Sequence, residues 1–320
     1  MVLYRLLKIP ARIAFRIYCK QLVINKKEVL RYKGPLLIAA NHSNSFLDAV
    51  ILATLFEQPI YSLARGDVFV NSFYTKLLTS VNILPVYRIS EGAENLHRNY
   101  STFNACEKIF QHNGIVLIFS EGSCSNEWHL RPLKKGTARL ALQCWEAGIP
   151  LKVLPTGINY NSFTTFGKII ELDFGNIITE KDIDTDNSHG KSIASFNTIL
   201  QTELQPAVIE ISTTDKASIK KYFSYKVSLL KKIILAIPAL LGFIAHAPLY
   251  FPIKKIAYNK GKATHPDHYD SFLVFLLFFS YPFYLVLIGL LVYWIVGGVW
   301  CISVLLLPFF AWSCLQLKNN

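Results

Sequence analysis

The stretch that decides the fold is Pro35-Leu36-Leu37-Ile38-Ala39-Ala40-Asn41-His42-Ser43-Asn44-Ser45-Phe46-Leu47-Asp48. Residues 35–40 are a short apolar run suited to a buried strand, and residues 46–57 follow as a helix. Phe46, Leu47, Val50, Ile51 and Leu55 make that helix's buried stripe. Outward from this unit the same alternation continues. Strands are expected at 60–64, 83–87, 114–119, 151–157 and 168–174, with helices at 68–80, 91–112 and 135–147. Residues 191–230 read as polar, helical and rich in lysine. The pattern implies an α/β fold with a mixed, largely parallel central sheet flanked by helices, and reactive groups on loops at the strand ends.

The two ends of the chain differ from this middle. Arg5, Lys8, Arg12, Arg16 and Lys20 recur every three or four residues among Leu3, Leu6, Leu7, Ile13, Phe15, Ile17 and Leu22. That is a basic amphipathic helix, interrupted or restarted at Pro10, of the kind that lies among lipid headgroups. Each basic residue near an anionic surface contributes about 1 kcal/mol. The other reading is a surface helix packed on its own domain. Residues 271–317 carry no charge at all, enough for two spans of about 20 residues, with Gly297 and Gly298 at the turn. Residues 233–252 are apolar but hold Pro238, Pro248 and Pro252 and have lysines on both flanks. A crossing would put one basic flank on the wrong side, so a re-entrant or interfacial segment is expected there, followed by one true hairpin.

Net charge is +12, which suits nucleic acid, an anionic membrane or anionic substrates. No nucleic-acid module accompanies the charge, which favours the membrane. The six cysteines are scattered without a C-x-x-C pair, a pattern of reduced, cytosol-facing thiols. No secretory signal peptide is expected.

His42 follows a predicted strand, and Asp48 opens the next helix. If the chain bends between them, the carboxylate fixes one ring nitrogen and frees the other to take a proton from a hydroxyl. Asn41 and Asn44 support this loop. Phe119-Ser120-Glu121-Gly122-Ser123 is a second strand-end turn, in which Glu121 either positions a substrate or holds the loop by bonding backbone amides. Arg88 is a candidate phosphate clamp, and Arg131, Lys134 and Lys135 add positive charge before the helix near Gly136. His265-Pro266-Asp267-His268 is read as a polar loop, and Asp182, Asp184 and Asp186 fail as a calcium loop because Asn187 stands at the glycine position.

Over roughly residues 30–180 these motifs resemble the glycerolipid acyltransferase family, which includes 1-acylglycerol-3-phosphate and glycerol-3-phosphate acyltransferases. The family blocks N-H-x4-D, an arginine-ended second block, F-P-E-G-T-R-S and V-P-V appear here as NHSNSFLD, ILPVYR, FSEGSCS and VLPTG. The resemblance implies the family fold, to which the uncharged run adds a C-terminal transmembrane helical hairpin. It implies His42 as general base, Asp48 as its partner, Glu121 and Gly122 in the acceptor site with Ser123 beside them, and Arg88 as a phosphate contact; Arg131 or Lys134 is the candidate to replace the arginine absent at position 124. It also implies no cofactor, with acyl-CoA or acyl carrier protein as co-substrate, membrane lipids as partners and no nucleic acid. The acceptor would be glycerol-3-phosphate or 1-acylglycerol-3-phosphate, on an integral membrane protein whose catalytic domain faces the cytoplasm. The alternatives are acylation of a non-phosphate lysolipid such as a lyso-aminolipid, thioester hydrolysis, and an inactive membrane-remodelling homologue.

Three departures bear on this. Five residues separate His42 from Asp48, so a one-residue bulge is needed. Ser120 replaces a proline, and Cys124 stands where the family often has arginine. The domains expected are residues 1–30, the membrane-surface helix; 31–230, the acyltransferase domain; 231–271, the re-entrant segment and basic loop; and 272–317, the hairpin.

Overall fold

Seven strands form one sheet in the order β1-β7-β6-β2-β5-β3-β4. They are β1 (Cys19–Ile24), β2 (Leu36–Ala40), β3 (Ile60–Arg65), β4 (Ile83–Val86), β5 (Ile115–Phe119), β6 (Lys152–Tyr160) and β7 (Lys168–Phe174). Every neighbouring pair is parallel except β6 and β7. The computed structural model describes residues 2–87, 98–183, 188–262 and 266–318. Central β2 is wholly buried, and its alternating side chains feed two cores. Leu36, Ile38 and Ala40 face α1 (Val2–Tyr18) and α2 (Phe46–Leu55), where Phe15, Leu47 and Ile51 complete the layer. Leu37 and Ala39 face α4 (Arg98–Gln111), α5 (Gly136–Glu146) and α6 (His189–Leu204), through Phe110, Leu140 and Phe196. Each of these buried large side chains stabilises the fold by about 1.5–3 kcal/mol. The short α3 (Ser72–Ser80) and α7 (Lys216–Tyr222) lie outside these layers.

The amphipathic helix is shorter than expected, and its charges are used differently. It stops at Tyr18, and Cys19–Ile24 becomes edge strand β1 beside β7, where Cys19 and Lys20 are buried. Pro10 sits inside the helix without ending it. The Lys8 ammonium donates to the carbonyls of Phe56 (2.7 Å) and Glu57 (3.1 Å), and Arg12 Nε to that of Thr54 (2.9 Å). These are the carbonyls left open at the end of α2, where positive charge is favoured. Arg5 and Arg16 remain exposed.

The C-terminal third also departs from the expected layout. Residues 229–257 form one continuous helix, α8 (Leu229–Ala257), with Pro238, Pro248 and Pro252 inside it. Prolines persist in an apolar helix when neighbouring groups satisfy the backbone they free. Next comes α9 (Tyr269–Val296), then a 3-10 stretch, Gly298–Leu306, and α10 (Leu307–Leu317). The reversal occurs at Gly297 and Gly298, both at positive φ (76° and 60°). The two helices long and apolar enough to cross a membrane are therefore Leu229–Lys260 and Pro266–Val296, not two segments within 272–317. They pair as an antiparallel hairpin, with Ala257 against Tyr269 and His246 Nε2 3.0 Å from the Tyr281 hydroxyl. Where α10 crosses α8, a Cβ on Gly242 would meet the Phe310 carbonyl oxygen at 2.1 Å, so only glycine fits.

Both ends of α8 rest on the sheet domain. Lys231 Nζ bonds the Tyr225 hydroxyl (3.0 Å) and Gln316 (2.7 Å), while Ile253 and Ala257 pack beside Phe166. Its intervening side chains, such as Ile233, Ile237 and Ile244, are more than half exposed.

Candidate active site

The sheet brings the two polar turns together. Strands β2 and β5 pair in register with Ala40 opposite Phe119, so His42 and Glu121 each stand two residues past a matched strand end. The sequence predicted a loop site at the carboxyl ends of parallel strands, and this is where the site lies. His42 Nδ1 is 2.9 Å from Asp48 Oδ2, and the imidazole stacks on Phe119 with centroids 3.8 Å apart and planes 10° off parallel. With Nδ1 committed to the carboxylate, Nε2 is left as the basic nitrogen.

Asp48 is fully buried and carries four hydrogen bonds. Besides His42, Oδ2 accepts from the amides of Ser43 (3.1 Å) and Asn44 (2.9 Å), and Oδ1 accepts from the Tyr160 hydroxyl (2.6 Å). Burial of a carboxylate is tolerable only when its lone pairs are matched in this way. Burial, and then the Asp48 charge, push the Tyr160 phenol well above its ordinary range, which keeps it a donor.

The expected bulge is present. Ser45 takes φ 52° and ψ −143°, a left-handed conformation for a residue that is not glycine. It absorbs the fifth intervening residue, so that Asp48 in the first turn of α2 still meets the ring. Such strain costs about 1–3 kcal/mol and persists only where surrounding contacts fix it. Here the Ser45 amide donates to Cys124 Sγ at 3.0 Å, and its hydroxyl lies 2.6 Å from His268 Nδ1.

The second turn holds the first in place. Glu121 is 3% exposed and uses both carboxylate oxygens on backbone amides, those of His42 and Arg131, each at 3.0 Å. Of the two roles the sequence left open for Glu121, this geometry serves loop-holding. Burial raises the Glu121 carboxyl above its usual range, while those amides oppose the rise. Gly122 adopts φ +72°, and a Cβ there would come within 2.9 Å of Lys134 Cγ. Arg131 Nη1 closes on the Ser123 hydroxyl (2.9 Å) and carbonyl (3.3 Å). Asn41 ties β2 to β6 through Ile158, accepting at 2.8 Å and donating at 3.2 Å.

A long cleft of about 3480 Å³ opens beside His42. Gly122, Ser123, Cys124 and Lys134 line it, as do the basic side chains Lys135, Arg139 and Arg65. Glu121, Arg131, Asn41 and Asn44 do not line it; they support the loops behind it. Much of the remaining wall is apolar, including Leu7 and Ile13 on α1, Phe46 and Val50 on α2, and Phe275 and Phe279 on α9. Burial, and then the Asp48 charge, push the Cys124 thiol far above its ordinary range, which favours the protonated form. Arg88, the start of the expected 91–112 helix, Asp184, Asp186 and His265 lie outside the described residues.

Several participants escaped the sequence reading. Tyr160 lies beyond the strand expected at 151–157, because β6 runs three residues further. In the first turn of α9, Asp270 immediately precedes the uncharged run and Ser271 begins it, and both bond the Asn44 segment. A carboxylate at the mouth of an apolar span is a signal in itself, because it requires a partner.

This arrangement places a His–Asp pair at the mouth of a largely apolar cleft. The family model Acyltransferase matches residues 21–159, a stretch from β1 through β6 that includes His42, Asp48 and Glu121. That match covers the same part of the chain whose motifs resemble the glycerolipid acyltransferases. Among solved structures, it is similar to the 1-acyl-sn-glycerophosphate (LPA) acyltransferase, PlsC, from Thermotoga maritima. That likeness has 13% identity and a TM-score of 0.45, covering 69% of this chain and 81% of the other. No curated protein matches the chain.

Proposed function

We propose that this protein is a membrane-bound O-acyltransferase of phospholipid biosynthesis. It moves an acyl chain from acyl-CoA or acyl carrier protein to the hydroxyl of glycerol-3-phosphate or its 1-acyl derivative. The observation that carries the reading is His42 Nδ1 held by Asp48 at 2.9 Å, in a ring that lines an apolar cleft. Nε2 takes the acceptor's hydroxyl proton as the oxygen attacks the thioester carbonyl. The C–S bond then breaks, and the leaving thiolate takes the proton back from the imidazolium. Lys134, Lys135 and Arg139 line the same cleft and supply charge for an anionic headgroup. Its apolar walls suit the acyl chain.

Membrane attachment follows from the exposed apolar surfaces of α8 and α9. On this reading α8 and α9, paired as an antiparallel hairpin, insert together into the hydrocarbon. Six free cysteines fit a catalytic domain on the cytoplasmic face.

One observation favours a second acceptor, a lysolipid without phosphate. Cys124 occupies the family's arginine position, and Arg131 is turned onto Ser123 and does not line the cleft. The test is a labelled thioester donor offered to purified protein in detergent with lysophosphatidate, glycerol-3-phosphate, a lyso-aminolipid and no acceptor. Product on the phosphate acceptors supports the first reading, and product only on the aminolipid replaces it with the second. Free fatty acid without any acceptor, and no lipid product, would make the protein a hydrolase.

A further inference from the structure

The membrane helix α9 begins by grasping the loop that carries the catalytic pair. Asp270 Oδ2 accepts from Asn44 Nδ2 (3.0 Å) and the Tyr18 hydroxyl (2.8 Å), and pairs with Lys168 Nζ (3.1 Å). Ser271 Oγ donates to the Asn44 carbonyl (2.8 Å) and accepts from the Leu47 amide (3.2 Å). All of these side chains are buried: Asn44, Lys168 and Ser271 at 0%, Asp270 at 1% and Tyr18 at 4%. Asn44 is thus clamped from both sides, because its own amide donates to Asp48 at 2.9 Å.

Buried ionisable groups at the head of an apolar span need a reason, since an apolar start to α9 would avoid their desolvation. Packing alone does not require this one. Asp270 and Ser271 direct three bonds to Asn44 and Leu47, the residues flanking the strained Ser45, and the bulge is what brings Asp48 to the ring. A carboxylate must be held to tenths of an ångström to fix an imidazole, and loops achieve that only with support behind them. Lys168 neutralises Asp270, so the second buried carboxylate adds no net charge beside Asp48.

We propose that Asp270, in the first turn of α9, is a positioning residue for the His42–Asp48 pair, acting through Asn44. The membrane anchor thereby forms part of the active-site scaffold and is more than a tether. The inference rests on His42 acting as the base, but its geometry can be tested without turnover.

The full-length protein in detergent is compared as wild type, Asp270→Asn, and the double variant Asp270→Ala with Lys168→Met, which leaves no unpaired buried charge. The readout is the pH dependence of His42 modification by diethyl pyrocarbonate, mapped by mass spectrometry. His42 meets Asp48 through its ring and Glu121 through its amide, while Tyr160 bonds Asp48 and Cys124 bonds the Ser45 amide, and none of these four is changed. Asp48 fixes Nδ1 at 2.9 Å, so loosening it changes the profile in the double variant. Asp270→Asn keeps an oxygen at the Oδ2 position and holds the midpoint near wild type. In turnover, the double variant loses about tenfold in kcat with KM within about twofold. An unchanged midpoint in a folded double variant overturns the inference. A wild type whose His42 shows the expected midpoint but transfers no acyl group overturns the proposed function and leaves the inference standing.

Discussion

Replacing Asp48 by asparagine separates the charge of the catalytic pair from its geometry. An amide oxygen at the Oδ2 position retains His42, Ser43 and Asn44 as donors, and the Tyr160 hydroxyl turns to accept from the new amide. The fold therefore survives, and what disappears is the negative charge facing the imidazolium that forms as His42 takes its proton. At the observed 2.9 Å contact the charge centres lie roughly 4 Å apart, worth about 4 kcal/mol at an effective dielectric near 20. At about 1.4 kcal/mol per decade, the expected loss is roughly a thousandfold in kcat. The measurement is the initial rate of acyl transfer with saturating thioester, beside the thermal midpoint of the purified variant. A folded Asp48→Asn enzyme that keeps more than a tenth of wild-type kcat refutes the role given to the carboxylate.

Three further outcomes follow from the same contacts. Tyr160→Phe removes the 2.6 Å bond to Asp48 Oδ1 and strands a buried acceptor, lowering stability by about 1–3 kcal/mol in denaturant titrations; a change under a few tenths would contradict that bond. Glu121 holds its proton more tightly folded than unfolded, so wild type gains stability relative to Glu121→Gln as pH falls through the raised range toward ordinary glutamate values. Melting curves across a pH series show this, and a difference that shrinks instead has the wrong sign. Lys8→Ala opens three carbonyls at the end of α2 and loosens α1, which limited proteolysis detects as faster cleavage within residues 2–18; unaltered cleavage would mean that Lys8 contributes nothing there.

Much of the fold was legible because parallel strands at a sheet centre announce themselves. Residues 36–40 and 115–119 are unbroken apolar runs, each followed at once by a polar turn. That adjacency, with an unusual His–Asp spacing, was enough to place His42, Asp48 and the bulge. Edge strand β1 was hidden because its apolar residues continue the rhythm of the helix before it, and only pairing with β7 distinguishes them. The hairpin was placed one helix too late because the lysines on both flanks of 233–252 argued against a crossing, whereas α8 runs unbroken through its three prolines and pairs with α9. Tyr160 and Asp270 could not be found from local pattern: they lie 112 and 226 residues from the groups they bond, and only the fold brings them together.

The central claim is that the His42 imidazole is the base that deprotonates the acceptor. Its most direct test is the acyl-transfer rate of His42→Ala, with and without added free imidazole. A loss of about 10²–10⁴-fold, partly restored by imidazole, is the predicted result. Turnover within about threefold of wild type, with no response to imidazole, would contradict it.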